Sequence, residues 1–156
     1  MSAPRTKTDD ARERSLGYFA AGFNCAEAVL IGVTEAMSVQ CAVAPSIATG
    51  FGAGMARNGE TCGAVVGGVM AIGVLRGRRH PGDEVAKTAT YSAVSDLIRG
   101  FGKEHGTLYC RELTGCDMQT EEGLKKADSL NLHQNLCPKF VALAAELAAS
   151  ALDYRG

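Results

Sequence analysis

The chain has no tryptophan, and aromatic residues make up only 6% of its 156 positions, so its core cannot be built mainly on large rings. It has no imbalance of charge either: sixteen Lys and Arg stand against seventeen Asp and Glu, a formal net charge of −1. A nucleic-acid binder shows a basic surplus or stripe, and this composition offers none. Long hydrophobic runs are missing as well. The apolar, uncharged stretch from Thr61 to Leu75 is shorter than the roughly 18–20 residues of a membrane span and is diluted by glycine. The opening segment, MSAPRTKTDDARERS, lacks the apolar centre of a secretory signal. These absences point to a soluble, cytoplasmic protein without a nucleic-acid or membrane partner.

Strand-type alternation is also lacking, as are internal repeats and a linker long enough to divide the chain. The expectation is a single-domain, all-α helical bundle over 1–156, with 1–10 a flexible or frayed N-terminus. A chain of this length buries about 70% of its unfolded surface. Helical period runs from Thr8 to Ala21. Asn24 is a good N-cap for CAEAVLIGVTEAM, in which Val29, Leu30, Val33 and Met37 mark a buried stripe. Ser46 begins a short helix, and a glycine turn, GFGAGMARNGE, leads into a helix over about Thr61–Leu75. Asp83 opens a long amphipathic helix that ends in Gly106. Short helical turns follow at CRELTG and EEGLKKAD, and Pro138 lies in the first turn of the last helix.

What the chain has in excess is glycine, 19 residues, and cysteine, six residues, at 25, 41, 62, 110, 116 and 137. A reducing compartment disfavours permanent disulfides, which leaves packing, metal binding or redox chemistry. Four of the six share one kind of position. Cys25 follows the cap Asn24, Cys62 opens the glycine-rich helix, Cys110 begins CRELTG, and Cys137 precedes Pro138. The first turn of a helix carries unpaired N–H groups and about half a positive charge. A thiol there is expected to ionise more readily, toward a pKa of roughly 3.5–7.5. Cys41, in VQCAVAP, and Cys116, in TGCD, read as small core residues. The four spacings contain no C-x-x-C pair, so neither a zinc-knuckle nor a ferredoxin pattern is present.

The segment GETCGAVVGGVMAIGV places Gly63 and Gly67 on one face, and each glycine inside a helix costs about 1 kcal/mol against alanine. A face without side chains admits a second backbone or a bound group. Other signals are weaker. Gly54 to Thr61 misses a phosphate-binding loop because Glu60 stands where lysine is needed. His80 and His105 read as solvent-exposed loop residues, and His133, four residues before Cys137, as a ligand or general base. The basic run at Arg76, Arg78, Arg79 and His80 reads as a solvated face, and Met55 as core filling.

GFNCAEAVL, FGAGMARNGETCGAVVGGVMAIG, YCRELTGCD and LCPKFVALAAELA together resemble the C-GCAxxG-C-C family, from about Ala11 to Leu152. That family is recognised by four cysteines, one within a C-G-A-x-x-G stretch. Cys62-Gly63-Ala64-Val65-Val66-Gly67 matches the stretch, and Cys25, Cys110 and Cys137 match the other three positions. The resemblance implies redox activity centred on these cysteines. A related domain of a multihaem cytochrome, for which an iron–sulfur centre has been proposed, suggests such a cluster. This chain carries no C-x-x-C-H haem attachment site. The expected function is electron transfer through an iron–sulfur cluster held by Cys25, Cys62, Cys110 and Cys137, with a separate redox partner protein. The alternatives are metal-free thiol–disulfide chemistry and a non-enzymatic module with a structural zinc site. The apolar run VALAAELAASAL suggests a homodimer.

Overall fold

The computed structural model describes residues 3–153. Helix α1 (Lys7–Ala20) starts where Thr6 and Asp9 cap each other's backbone N–H groups, inside the 1–10 span expected to fray. Met1 and Ser2 of that span lie outside the described residues. Helix α2 (Cys25–Ala36) opens on the same reciprocal device, with the Asn24 side chain accepting from Glu27 N–H and Glu27 accepting from Asn24 N–H. Both starts follow from short polar residues placed three positions before an acid, a purely local pattern.

The stripe expected on α2 is instead a whole cylinder. Ala28, Ile31 and Thr34 are buried along with Val29, Leu30 and Val33, because α2 is the central helix, packed by α1, by α5 (Gly63–Arg76) and by α10 (Cys137–Asp153). A helix apolar all round belongs inside. Small residues set its distances: a Cβ on Gly32 would strike Ser15 of α1, and one on Gly67 would lie 2.6 Å from the Ala26 carbonyl. Helix α6 (Glu84–His105) is capped by the Asp83 side chain, stops at Gly106 with φ +79°, and lies against α5 and α10. The apolar face of α10, from Phe140 and Val141 to Ala148 and Ala149, is covered within the chain by α1, α5 and α6.

Short elements fill the connections. Helix α3 (Ala44–Ala48), begun by Ala44 and Pro45 and not by Ser46, runs into a 3-10 turn at Thr49–Phe51. The next turn, α4 (Gly52–Met55), has left-handed backbone from Ala53 onward. Beyond α6 come α7 (Cys110–Thr114), α8 (Glu121–Leu130) and α9 (Leu132–Asn135). No strand forms among the described residues; a single bridge joins Thr61 to Tyr109. The architecture is the expected all-α bundle. No described helix is long and apolar enough to cross a membrane.

Candidate functional site: four thiols around one cavity

Cys62 and Cys110 are 48 positions apart, yet backbone hydrogen bonds clamp them together. Cys62 N–H donates to the Leu108 carbonyl (2.7 Å), Cys110 N–H to that of Glu60 (2.8 Å), and Arg111 N–H to that of Gly59 (3.2 Å). Cys62 is thereby the N-cap of α5, one step outside the helix expected to contain it, and Cys110 the first residue of α7. Cys25 reaches the same place from α2. A Cβ on Gly63 would lie 2.5 Å from the Cys25 sulfur and 2.8 Å from the Phe51 carbonyl, so glycine after Cys62 is a condition for α2 and α5 to meet at their sulfur-bearing ends. Gly73, by contrast, faces open space. Cys137, at the start of α10, completes the set. All four line one cavity of about 380 Å³, and all six cysteines are free.

The electrostatics of the site reverse the expectation from helix mouths. Burial pushes every one of the four thiols up from the ordinary 9.0: Cys110 to about 11, Cys137 to about 12, and Cys62 and Cys25 upward as well. Mutual repulsion adds to this, since a charge at Cys25 opposes ionisation of Cys62, Cys110 and Cys137. Helix N–H groups do act as anticipated: those of Ala53, Ala26 and Ala64 favour the Cys25 thiolate, and those of Ala64 and Val65 favour that of Cys62. They are outweighed by desolvation of an anion in an apolar wall. An occupant bearing positive charge would restore the balance, because thiolates crowded out of water need a cation.

Among the described residues, no three His, Cys, Asp or Glu side chains converge tightly enough to hold a single metal ion. The thiols surround a space and do not meet at a point.

The last two cysteines part company. Cys41 packs against the core away from the cavity, as expected. Cys116 is buried as a small residue, as expected, and it neighbours the site. It follows α7 through Gly115 at φ +67°, its N–H donates to Thr114 Oγ1 (3.2 Å), and its charge bears on both Cys110 and Cys137. Its spacing of six from Cys110 around a tight turn was the available signal. His133 lines the cavity, stacked flat on Phe19 with ring centroids 3.9 Å apart. His80 is exposed, but His105 is wedged between Phe101 and Phe140 with its Nε2 buried and without a partner, because it is still helical and lies one turn after Phe101 on the same face of α6. Met55 is 38% exposed and fills no core. It belongs to a run, Ala53 to Arg57, in which every φ lies between +52° and +71°. The sequence reads this segment as a glycine turn, and the left-handed backbone extends beyond the glycine to four other residues.

Comparison with curated proteins returns no match, and neither does comparison with solved structures. A family model does match, over residues 23–151, and its description is "Putative redox-active protein (C_GCAxxG_C_C)". That span begins just before Cys25, ends beyond Cys137 and takes in all four thiols of the cavity, and the chain belongs to this C_GCAxxG_C_C family.

Proposed function

We propose that the protein is an electron-transfer or redox protein in which Cys25, Cys62, Cys110 and Cys137 hold an iron–sulfur cluster. The observation that carries this reading is the lining of one cavity of about 380 Å³ by four free thiols, two of them capped by convergent helix N–H groups. The donor set suits the group, since iron–sulfur clusters are held by four cysteine thiolates. Such a cluster supplies one-electron chemistry when bound. The chain's own contribution is to exclude water with Phe19 and Phe140, to fix the sulfurs through the 59–62/108–111 clamp, and to direct N–H groups at them. Hydrogen bonds to the sulfurs and burial tune a cluster's potential.

Anaerobic purification followed by absorption spectroscopy and assay of iron and acid-labile sulfide tests the reading. Visible charge-transfer bands with iron and sulfide are expected. Colourless protein with one zinc, or metal-free protein whose thiols oxidise in pairs, would replace it with one of the other two readings. Cys62→Ser should abolish the chromophore and Cys41→Ala should leave it; equal loss from both would remove the assignment.

A further inference from the structure

Half of the cavity's chemistry is unrelated to sulfur. Its wall also carries one cation, Arg57, and one anion, Asp128, and neither side chain makes a hydrogen bond or ion pair within the chain. Most of the described arginines are paired: Arg5, Arg12, Arg14, Arg78, Arg99 and Arg111 are in ion pairs, and Arg76 bonds to the Leu152 carbonyl; Arg79 shares with Arg57 the lack of such a contact, but of the two only Arg57 lines the cavity. Arg57 and Asp128 share a cavity but stand too far apart to pair with each other, so a ligand between them must bring both charges of its own.

The backbone that delivers Arg57 is strained. Ala53, Met55, Ala56 and Arg57 all have left-handed φ, together with Gly54. Each non-glycine residue so placed costs about 1–2 kcal/mol, and left-handed residues ordinarily occur singly. Strain of this kind persists where surrounding structure over-determines it, and it clusters at binding and catalytic sites. Here it is pinned on both sides. Glu60 N–H donates to the Gly54 carbonyl (3.0 Å), Asn58 N–H to that of Met55 (3.1 Å), and the Arg111 guanidinium to that of Asn58 (3.1 Å). The result is that Ala53 and Arg57, the two ends of the left-handed run, both face the cavity. Asp128 is on the opposite piece of chain, α8, whose Leu124 and Ala127 also line the wall, with Leu113 and Met118 adding further apolar surface. A volume of about 380 Å³ falls within the ~300–1,000 Å³ of small-molecule sites, which pair apolar walls with a few fixed polar groups.

We propose that this cavity binds a small zwitterion of the amino acid class, with its carboxylate on Arg57, its ammonium on Asp128 and its apolar body against Leu113, Met118 and Leu124. The guanidinium fork matches a carboxylate in two parallel hydrogen bonds. A free carboxylate on the other wall penalises a simple anion, and a free guanidinium penalises a simple cation, so the two together select a molecule carrying both charges. Binding of this kind depends on the cavity and its two charges, whatever the thiols hold.

Calorimetry on the full chain as it purifies anaerobically, with three matched probes at constant ionic strength, tests the site. L-leucine carries both charges, N-acetyl-L-leucine only the carboxylate, and L-leucinamide only the ammonium. Leucine should bind saturably at one per chain, and the other two at least tenfold more weakly. Arg57→Gln should weaken leucine at least tenfold and leave leucinamide unchanged or tighter. Asp128→Asn should weaken leucine and leave N-acetyl-leucine unchanged or tighter. Both residues are exposed, so the variants should keep the thermal midpoint of the parent. The absence of saturable heat with leucine, equal affinity for the three probes, or an Arg57→Gln variant that binds leucine as the parent does would overturn the proposal. Preparations that bind leucine without iron would uphold this site while removing the cluster reading; iron-loaded protein that ignores leucine would do the reverse.

Discussion

Two regions of the molecule hold the thiols, and they do so by opposite means. At the α2–α5 seam, small residues let two helices press together. Gly63 and Gly67 leave room for Cys25 and for the Ala26 backbone, and Cys25 is positioned by dry packing. At the rim, formed by the left-handed run, α7, α8 and α9, the chain is bent and pinned by individual hydrogen bonds, with Gly115 and Asn131 at left-handed helix ends. The seam is stabilised by burial and is intolerant of added volume. The rim contains conformations that oppose folding, and it carries Arg57 and Asp128. Stability is concentrated in one region and ligand-facing polarity in the other, as expected when strained functional segments are supported by a rigid scaffold.

The largest effect should come from filling the seam. Gly63→Ala drives a methyl into the Cys25 sulfur and the Phe51 carbonyl, and overpacking of this kind costs about 1–3 kcal/mol or more. Thermal unfolding should show the loss, and iron content should fall with it. Gly67→Ala, 2.6 Å from a backbone carbonyl, should be close behind. If both variants melt with the parent, the seam is looser than the structure has it.

A second contrast concerns protons. With no cation in the cavity, thiols that ionise at 9.0 in the unfolded chain stay protonated in the folded one, up to about 11 for Cys110 and about 12 for Cys137. Above pH 9 the unfolded state therefore binds fewer protons than the native state, and stability must fall as pH rises through that window. Denaturant midpoints of metal-free protein between pH 8 and 11 should decline. The Cys110→Ala and Cys137→Ala variants should decline less steeply than the parent.

Smaller effects sharpen the comparison from the other side. Ala56→Gly relieves one left-handed alanine at the rim and should raise stability by up to about 1 kcal/mol, where the same change within a helix would lower it. Gly73→Ala, in the part of α5 that faces open space, should raise it by roughly 0.4–1 kcal/mol. A destabilised Gly73→Ala would mean that the far end of α5 is also a close contact.

Much of this was legible from residue order because its causes are local. Asn24 satisfies an N–H group within a single turn, and Asp83 and Gly106 bound α6 in the same way, whereas the equally local pairing of Thr6 with Asp9 went unread and its span was expected to fray. The placement of four cysteines at helix starts, and hence the family resemblance, needed no tertiary information. Met55 was misread because its surroundings are set by a backbone conformation that composition does not announce. His105 was misread for another reason, its neighbours Phe101 and Phe140 coming from two helices.

By itself, then, the order of residues determined which segments wind into helices and which sulfurs sit at their first turns, since capping and periodicity act over three or four positions. Tertiary structure alone decided that these sulfurs enclose a common space, that their acidity falls there, and that a guanidinium and a carboxylate share it. Desolvation and proximity are sums over everything that surrounds an atom, and those sums exist only once distant segments have packed.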